Sequence, residues 1–332
     1  MAAASIAVFI LWSCLSLWFV HHPRGWIEEK CRTWPRIATI ALLSLGEPLG
    51  DLTDGLGLTG SDVTAETDRP PPSGKVFFAG MPVRRSAPAP DDIRVLNRGD
   101  FIVGWSPSLM HPAWCAYHVP KDAAFEPGKR PGFRKDPRLK VSPKAADYAR
   151  TGYDRGHMAP NYAIATRFGP VAQTNTFCMS NIAPQTPALN RGVWRDIEHR
   201  IVNLWTARWG EIWVVVGALS EGCEKLNDTG IDIPTRYWQV VVAQDGKEIR
   251  ALALLVEQDV PWRAWPARYL ISIDELEDMT GYDFLAELDD DTEAMLESRC
   301  PSRLWPIRLR DLASLMRMHS QDDLEWSRSK KK

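Results

Sequence analysis

The chain has 332 residues, 45% of them apolar, with 15 Trp and 25 Pro. That composition excludes a disordered polymer and leaves length enough to bury a sizeable core, as one large domain or two modest ones. The formal net charge of −2 conceals two opposed blocks, 128–208 with 14 Lys/Arg against 5 Asp/Glu and 258–300 with 3 Arg against 12 Asp/Glu.

Residues 2–20, AAASIAVFILWSCLSLWFV, form 19 uncharged positions, about the length of a helix that crosses a bilayer. No basic residue precedes the run and HHPR follows it, so 1–22 reads as a membrane anchor or signal-like helix rather than a clean signal peptide. A buried hydrophobic helix is the alternative. Within 23–75, a second apolar run, IATIALLSLG, is too short to span comfortably, and 53–75 is a Gly-, Ser-, Thr-, Asp- and Pro-rich linker with three consecutive prolines. The expected location is therefore exported or membrane-anchored, on the periplasmic or extracellular side.

From 76 the pattern is globular, and 76–312 is expected to form one domain with a basic-ended tail at 313–332. Strands are predicted in VLNRGDFIVGWS, WCAYHV, FCMSNIAP and EIWVVVGAL, and in RYWQVVVAQDGKEIRALALLVE around a Gln-Asp-Gly turn. Helices are predicted in ALNRGVWRDIEHRIVNLWTARW, IDELEDMTGYDFLAEL and IRLRDLASLMRMHS. Strands dominate, with helices inserted between them, which indicates a mixed α+β domain. The six cysteines show no metal-binding spacing. The four in the globular part are open to one or two disulfides or to free thiols.

Two segments carry chemistry, GYDRGHMAPNYA and NIAPQTPALNRGVWRDIEHRI. In extended chain Arg155 and His157 point to the same side. A neutral imidazole that takes a proton from water, beside a guanidinium that holds charged oxygens, suits attack on a phosphate. A charged surface turn is the bland reading of the same residues. On the predicted helix Asn190 and Glu198 lie roughly on one face, together with Trp194. Asn190 could equally be an N-cap and Glu198 a surface acid paired with Arg195. An amide oxygen and a carboxylate on one face are adequate for a Mg²⁺ that keeps most of its waters.

Together YDRGHMAP, SNIAPQ and LNRGVWRDIE resemble the DNA/RNA non-specific endonucleases, of the ββα-metal (His-Me finger) class that includes endonuclease G. The resemblance covers roughly 76–310 and implies a ββα-metal finger nuclease fold, with a mixed, mainly antiparallel central sheet flanked by helices. It implies His157 as general base, Asn190 as the sole direct protein ligand to Mg²⁺ (with Mn²⁺ able to substitute), and Glu198 as the carboxylate that orients the metal's waters. Arg155 is implied as a phosphate contact, and Asn181, Arg130 and Arg195 as substrate-binding or site-shaping residues. Asp154 is expected to be scaffolding, and Gln185 to support the loop into the helix. Where the family often has a basic residue, one turn after the Glu, this chain has Val202, with Arg195 and Arg200 as the candidate substitutes. Expected partners are DNA and RNA through phosphate contacts, a membrane through the N-terminal helix, and a second copy in a homodimer. The alternatives are a catalytically inactive nucleic-acid-binding module and an exported envelope protein with a structural role.

Overall fold

The computed structural model describes residues 64–66, 76–262 and 264–307. The expected anchor at 1–22, the second apolar run and the C-terminal segment beyond 307 lie outside the described residues. Among the described residues no helix is long and apolar enough to cross a membrane. The chain divides into two units, Met1–Ser61 with Trp305–Lys332, and Asp62–Leu304. The elements below belong to the second.

Short strands β1 (Thr64–Glu66) and β2 (Val83–Arg84) precede the hairpin of β3 (Arg94–Asn97) and β4 (Phe101–Ser106), which turns at Gly99 with φ +89°. Next come β5 (His111–Val119), then β6 (Asp154–His157) and β7 (Ile182–Gln185), which pair with each other apart from the main sheet. The long strands β8 (Ile212–Leu219), β9 (Arg236–Asp245) and β10 (Glu248–Glu257) follow. The main sheet runs β1-β10-β9-β8-β5-β4-β3, with β11 (Leu270–Ile271) also on β10, and its ladders are antiparallel throughout. Strand β1 falls inside the expected linker: its β-branched Thr64 pairs opposite Arg250 and covers an edge of β10 that would otherwise stand open.

β8 and β9 are apolar on both faces because both faces are covered. On one face Trp114, Ala116, Trp213, Trp238, Val240, Val242, Ala251 and Ala253 form a core with Ile273, Leu276 and Leu296. Those three residues come from helices α3 (Ile273–Thr280) and α4 (Asp290–Glu297). Two tryptophans of this face lie over glycines directly across the ladder, Trp114 opposite Gly104 and Trp238 opposite Gly217. A β-carbon on Gly104 would stand 2.2 Å from the Trp114 ring, and one on Gly217 would stand 2.0 Å from the Trp238 ring. The opposite face, with Cys115, Tyr117 and Tyr237, receives helix α1 (Asn161–Thr176), β7 and the end of a long helix α2 over 189–209.

Several sequence expectations need correction. The helix read over IDELEDMTGYDFLAEL stops at Thr280, because Gly281 takes a left-handed conformation (φ +72°) and caps it; Tyr282–Asp283 (β12) then pairs with β2. Within FCMSNIAP, Met179–Asn181 is a 3₁₀ turn and strand begins at Ile182. Helix α1 had no counterpart in the sequence reading. It is broken in its middle by Gly169 (φ +84°) and Pro170, which erases the apolar period. Cys115, Cys178, Cys223 and Cys300 are free thiols, the first two buried, so the disulfide reading fails for the described cysteines.

Replacing Gly217 by Ala is expected to lower unfolding free energy by about 1–3 kcal/mol. Chemical denaturation checks it, and an unchanged midpoint would show that the Trp238 ring moves aside freely.

Candidate active site

Strand β6 sets its side chains by alternation: Arg155 and His157 face one way, Asp154 and Gly156 the other. It pairs with β7 so that His157 stands opposite Ile182 and Asp154 opposite Gln185. The half-buried His157 ring meets the edge of Phe177 at 4.9 Å and lies 5.5 Å from Phe133. Its Nε2 is enclosed and has no hydrogen-bond partner among the described residues. Burial pushes the imidazole down to about 3, with the positive charge of Arg130 adding to the effect. The ring is therefore neutral near pH 7 with a lone pair to offer, while the same burial weakens it as a base. The Arg155 guanidinium sits 4.7 Å over the face of Phe133, donates to the Ala145 carbonyl at 3.2 Å, and is exposed. Arg130, also exposed, lies 5.7 Å from the Phe177 ring. Two phenylalanines thus frame His157 and stand against both arginines, a role no sequence motif announced.

The second half of the site comes from α2, which opens with a π turn at Leu189–Val193, passes through Trp194–His199, and widens again at Arg200–Trp205. Thr186 caps it, its Oγ1 accepting from the Leu189 amide at 3.3 Å, so the N-cap reading of Asn190 does not hold. Instead Asn190 Nδ2 donates to Asp154 Oδ2 at 2.9 Å. Because a carboxylate only accepts, this bond turns the amide oxygen of Asn190 away from Asp154. Arg191 completes the link with two bonds to Asp154, at 2.7 and 2.5 Å. Glu198 is half-buried, and burial pushes its carboxyl up to about 8 against the pull of Arg195 and Arg130. Arg130 thus acts electrostatically on both His157 and Glu198, and Arg195 on Glu198.

Buried neighbours fix this arrangement. Trp194 packs edge-on against Tyr237 at 5.6 Å, a contact of about 0.5–1.5 kcal/mol beyond burial. Tyr237 Oη donates to the Pro184 carbonyl at 2.5 Å. Gln258, unnoticed in the sequence, donates to that same carbonyl at 2.8 Å and accepts from the Thr186 amide at 2.9 Å. Asn181 is 1% exposed. Its Nδ2 donates to the Ala159 and Thr176 carbonyls, and its Oδ1 accepts from the Ala159 amide. Both ends of the amide are spent on the backbone just after His157, so these bonds shape the site and leave nothing for substrate. Gln185 fills the space beside Gly156: a β-carbon there would stand 2.2 Å from its Oε1 and 2.6 Å from its Cγ. Val202 is buried, and its carbonyl accepts from Arg167 at 2.9 Å. Of the two suggested substitutes, Arg200 is fully buried and bonded to Asp196 at 2.9 Å, so it faces no solvent-borne ligand.

The donor set fits a hard divalent cation that retains water. It offers one oriented amide oxygen, from Asn190, with the carboxyl of Glu198 two turns further along the same helix. Among the described residues the cluster of three carboxylates close enough to share an ion lies elsewhere, at Asp274, Glu277 and Glu297.

A family model described as DNA/RNA non-specific endonuclease matches residues 83–291. The chain is 28% identical to a nuclease of Nostoc sp. over 228 residues, covering 63% of this chain and 79% of the relative. It is 30% identical to the Serratia marcescens nuclease over 203 residues, covering 56% and 73%. Against mitochondrial endonuclease G of Bos taurus it is 24% identical over 239 residues, covering 63% and 79%. Among solved structures, the crystal structure of the EndoG/EndoGI complex matches with a TM-score of 0.55 at 19% identity. That match covers 65% of this chain and 90% of the other, a likeness of fold.

Replacing Gly156 by Ala is expected to cost about 1–3 kcal/mol of stability. Pairing it with Gln185→Ala should return part of that loss, a coupling that a double-mutant cycle by denaturation would read. Strict additivity would show that Gln185 is not what Gly156 makes room for.

Proposed function

The chain belongs to the DNA/RNA non-specific endonuclease family, and from that premise we propose that it makes a Mg²⁺-dependent cut with His157 as general base. The reaction class is hydrolysis of phosphodiester bonds. The observation that carries the residue assignment is the neutral, enclosed imidazole of His157 on the strand whose Asp154 holds Asn190.

In this reading Asn190 would hold Mg²⁺ through its amide oxygen, and the carboxylate of Glu198 would orient the water the ion keeps. The cation, once bound, supplies positive charge against the phosphate oxygens. His157 removes a proton from the attacking water as the new O–P bond forms and the ester P–O bond breaks; the departing alkoxide takes a proton from solvent, to which His157 then returns its own. Arg155 and Arg130, both exposed beside the imidazole, meet the charge that builds on the phosphate. Arg195 contributes through its field at Glu198. Asn181 acts by fixing the backbone after His157. Contacts of this kind read phosphate rather than base, so sequence preference should be slight, and both DNA and RNA should be cut. The basic block at 128–208 supports attraction of a polyanion. Its exposed arginines include Arg130, Arg134 and Arg155. The apolar run at 2–20 supports export or anchoring, which a topology reporter fused after Lys75 would test.

Plasmid DNA and a folded RNA should both be degraded with Mg²⁺, and EDTA should stop both reactions. His157→Ala should lower the rate at least ~100-fold. Asn190→Ala should raise the Mg²⁺ concentration needed for half-maximal rate. Wild-type cleavage by His157→Ala would remove the base assignment. Salt-sensitive DNA retention without cutting in any metal would favour the binding-module reading instead.

A further inference from the structure

The acidic block at 258–300 takes no part in the active site, yet it is not merely a solvated face. Asp274 and Glu277 stand one turn apart on α3, and Glu297 ends α4. One carboxylate oxygen from each lies within 4.8 Å of the other two. Glu277 is 7% exposed and Glu297 4%, while Asp274 opens to solvent. We propose that Asp274, Glu277 and Glu297 form a second divalent-cation site, selective for Ca²⁺, that joins α3 to α4 independently of the Asn190 site.

The unsatisfied group is Glu297. Its Oε1 is enclosed and has no hydrogen-bond partner among the described residues. Glu277 accepts from the Phe284 amide at 2.6 Å and from Arg85 at 3.1 Å. The same Arg85 is shared with Asp283 at 2.6 Å. One half-exposed guanidinium divided between two carboxylates leaves the buried pair short of positive charge. A buried carboxylate without a partner is unfavourable unless a proton or a cation joins it. With protons as the counter-charge, burial and the charge of Glu277 push Glu297 up to about 9, and burial pushes Glu277 up to about 7. A metal ion would satisfy the same deficit.

Three carboxylates offered together suit Ca²⁺, which takes about 6–8 oxygens in a flexible geometry, better than Mg²⁺, a smaller ion that keeps several of its waters and takes about one or two carboxylates. Exposed Asp274 provides a way in and room for water ligands. The main sheet separates the cluster from His157. On β9, Tyr237 faces Trp194 and Pro184, while its neighbour Trp238 faces Tyr282 and Phe284 beside α3.

The test is the thermal midpoint of the EDTA-treated full chain during titration with CaCl₂ and, separately, MgCl₂, near pH 7.5. Ca²⁺ should raise the midpoint by several degrees and saturate, with Mg²⁺ acting more weakly. Asn190→Ala should keep the Ca²⁺ response, and Glu297→Gln should lose it. Asp274→Asn, at an exposed position, should shift the response to higher Ca²⁺. No rise in the wild-type protein, or a full rise in Glu297→Gln, would overturn the site in favour of a buried proton. If Glu297→Gln does not fold, an unshifted Ca²⁺ response in Asp274→Asn would overturn it instead.

Discussion

The carboxylate of Asp154 accepts three hydrogen bonds, one from Asn190 and two from Arg191. It lies on the strand of His157, the proposed base, and they lie on the helix that carries Glu198, so one side chain sets the relation between the two halves of the proposed site. A strand and a helix packed by apolar contacts alone can slide by fractions of an ångström with little cost. Three charge-assisted bonds to one acceptor group remove that freedom. They also choose which end of the Asn190 amide faces outward, a choice the helix could not make by itself. The surrounding contacts serve the same end: Gln258 and Tyr237 both fasten the Pro184 carbonyl, and Trp194 closes the space beneath.

Much of this was legible in the residues. Runs such as EIWVVVGAL and the Gln-Asp-Gly hairpin announce β8, β9 and β10 because β-branched side chains and a tight turn leave few alternatives. Spacing alone put His157 and Arg155 on one side of a strand and Asn190 and Glu198 on one helix face; their roles came from the resemblance of YDRGHMAP, SNIAPQ and LNRGVWRDIE, taken together, to the endonuclease family. Position in space was harder to read. Asp154 was read as a structural hydrogen-bond acceptor and is one, but it precedes Asn190 by 36 residues, and no local pattern told that Asn190 and Arg191 were its donors. The resemblance offered Asn181 as a substrate contact or a site-shaping residue; its bonds to the backbone favour the second, and its burial comes from a 3₁₀ turn that neither composition nor period foretells. Helix α1 was hidden by the Gly169-Pro170 break, and the extent of α3 by the demand of Gly281 for a left-handed turn. Arg200, a reasonable stand-in for the residue absent at 202, is taken up by Asp196 inside the protein.

The sheet also divides labour. One face carries His157, Asn190 and the exposed Arg130, Arg134 and Arg155, the other an acidic cluster between two helices. The two opposed charge blocks of the sequence thereby become separate surfaces. A polyanion approaching the basic side meets the acidic helices only across the thickness of the sheet, where their repulsion is weakened by distance and screening.

The glycines under Trp114 and Trp238 impose a constraint of another kind. Each ring occupies the volume where its cross-strand partner would carry a side chain, so neither position of a pair can drift alone. In a lineage of such sheets, positions 104 and 114, and positions 217 and 238, should change together, a smaller ring arriving with a larger residue opposite. Coupled inheritance at these pairs would follow from geometry even where the rest of the strand sequence has diverged.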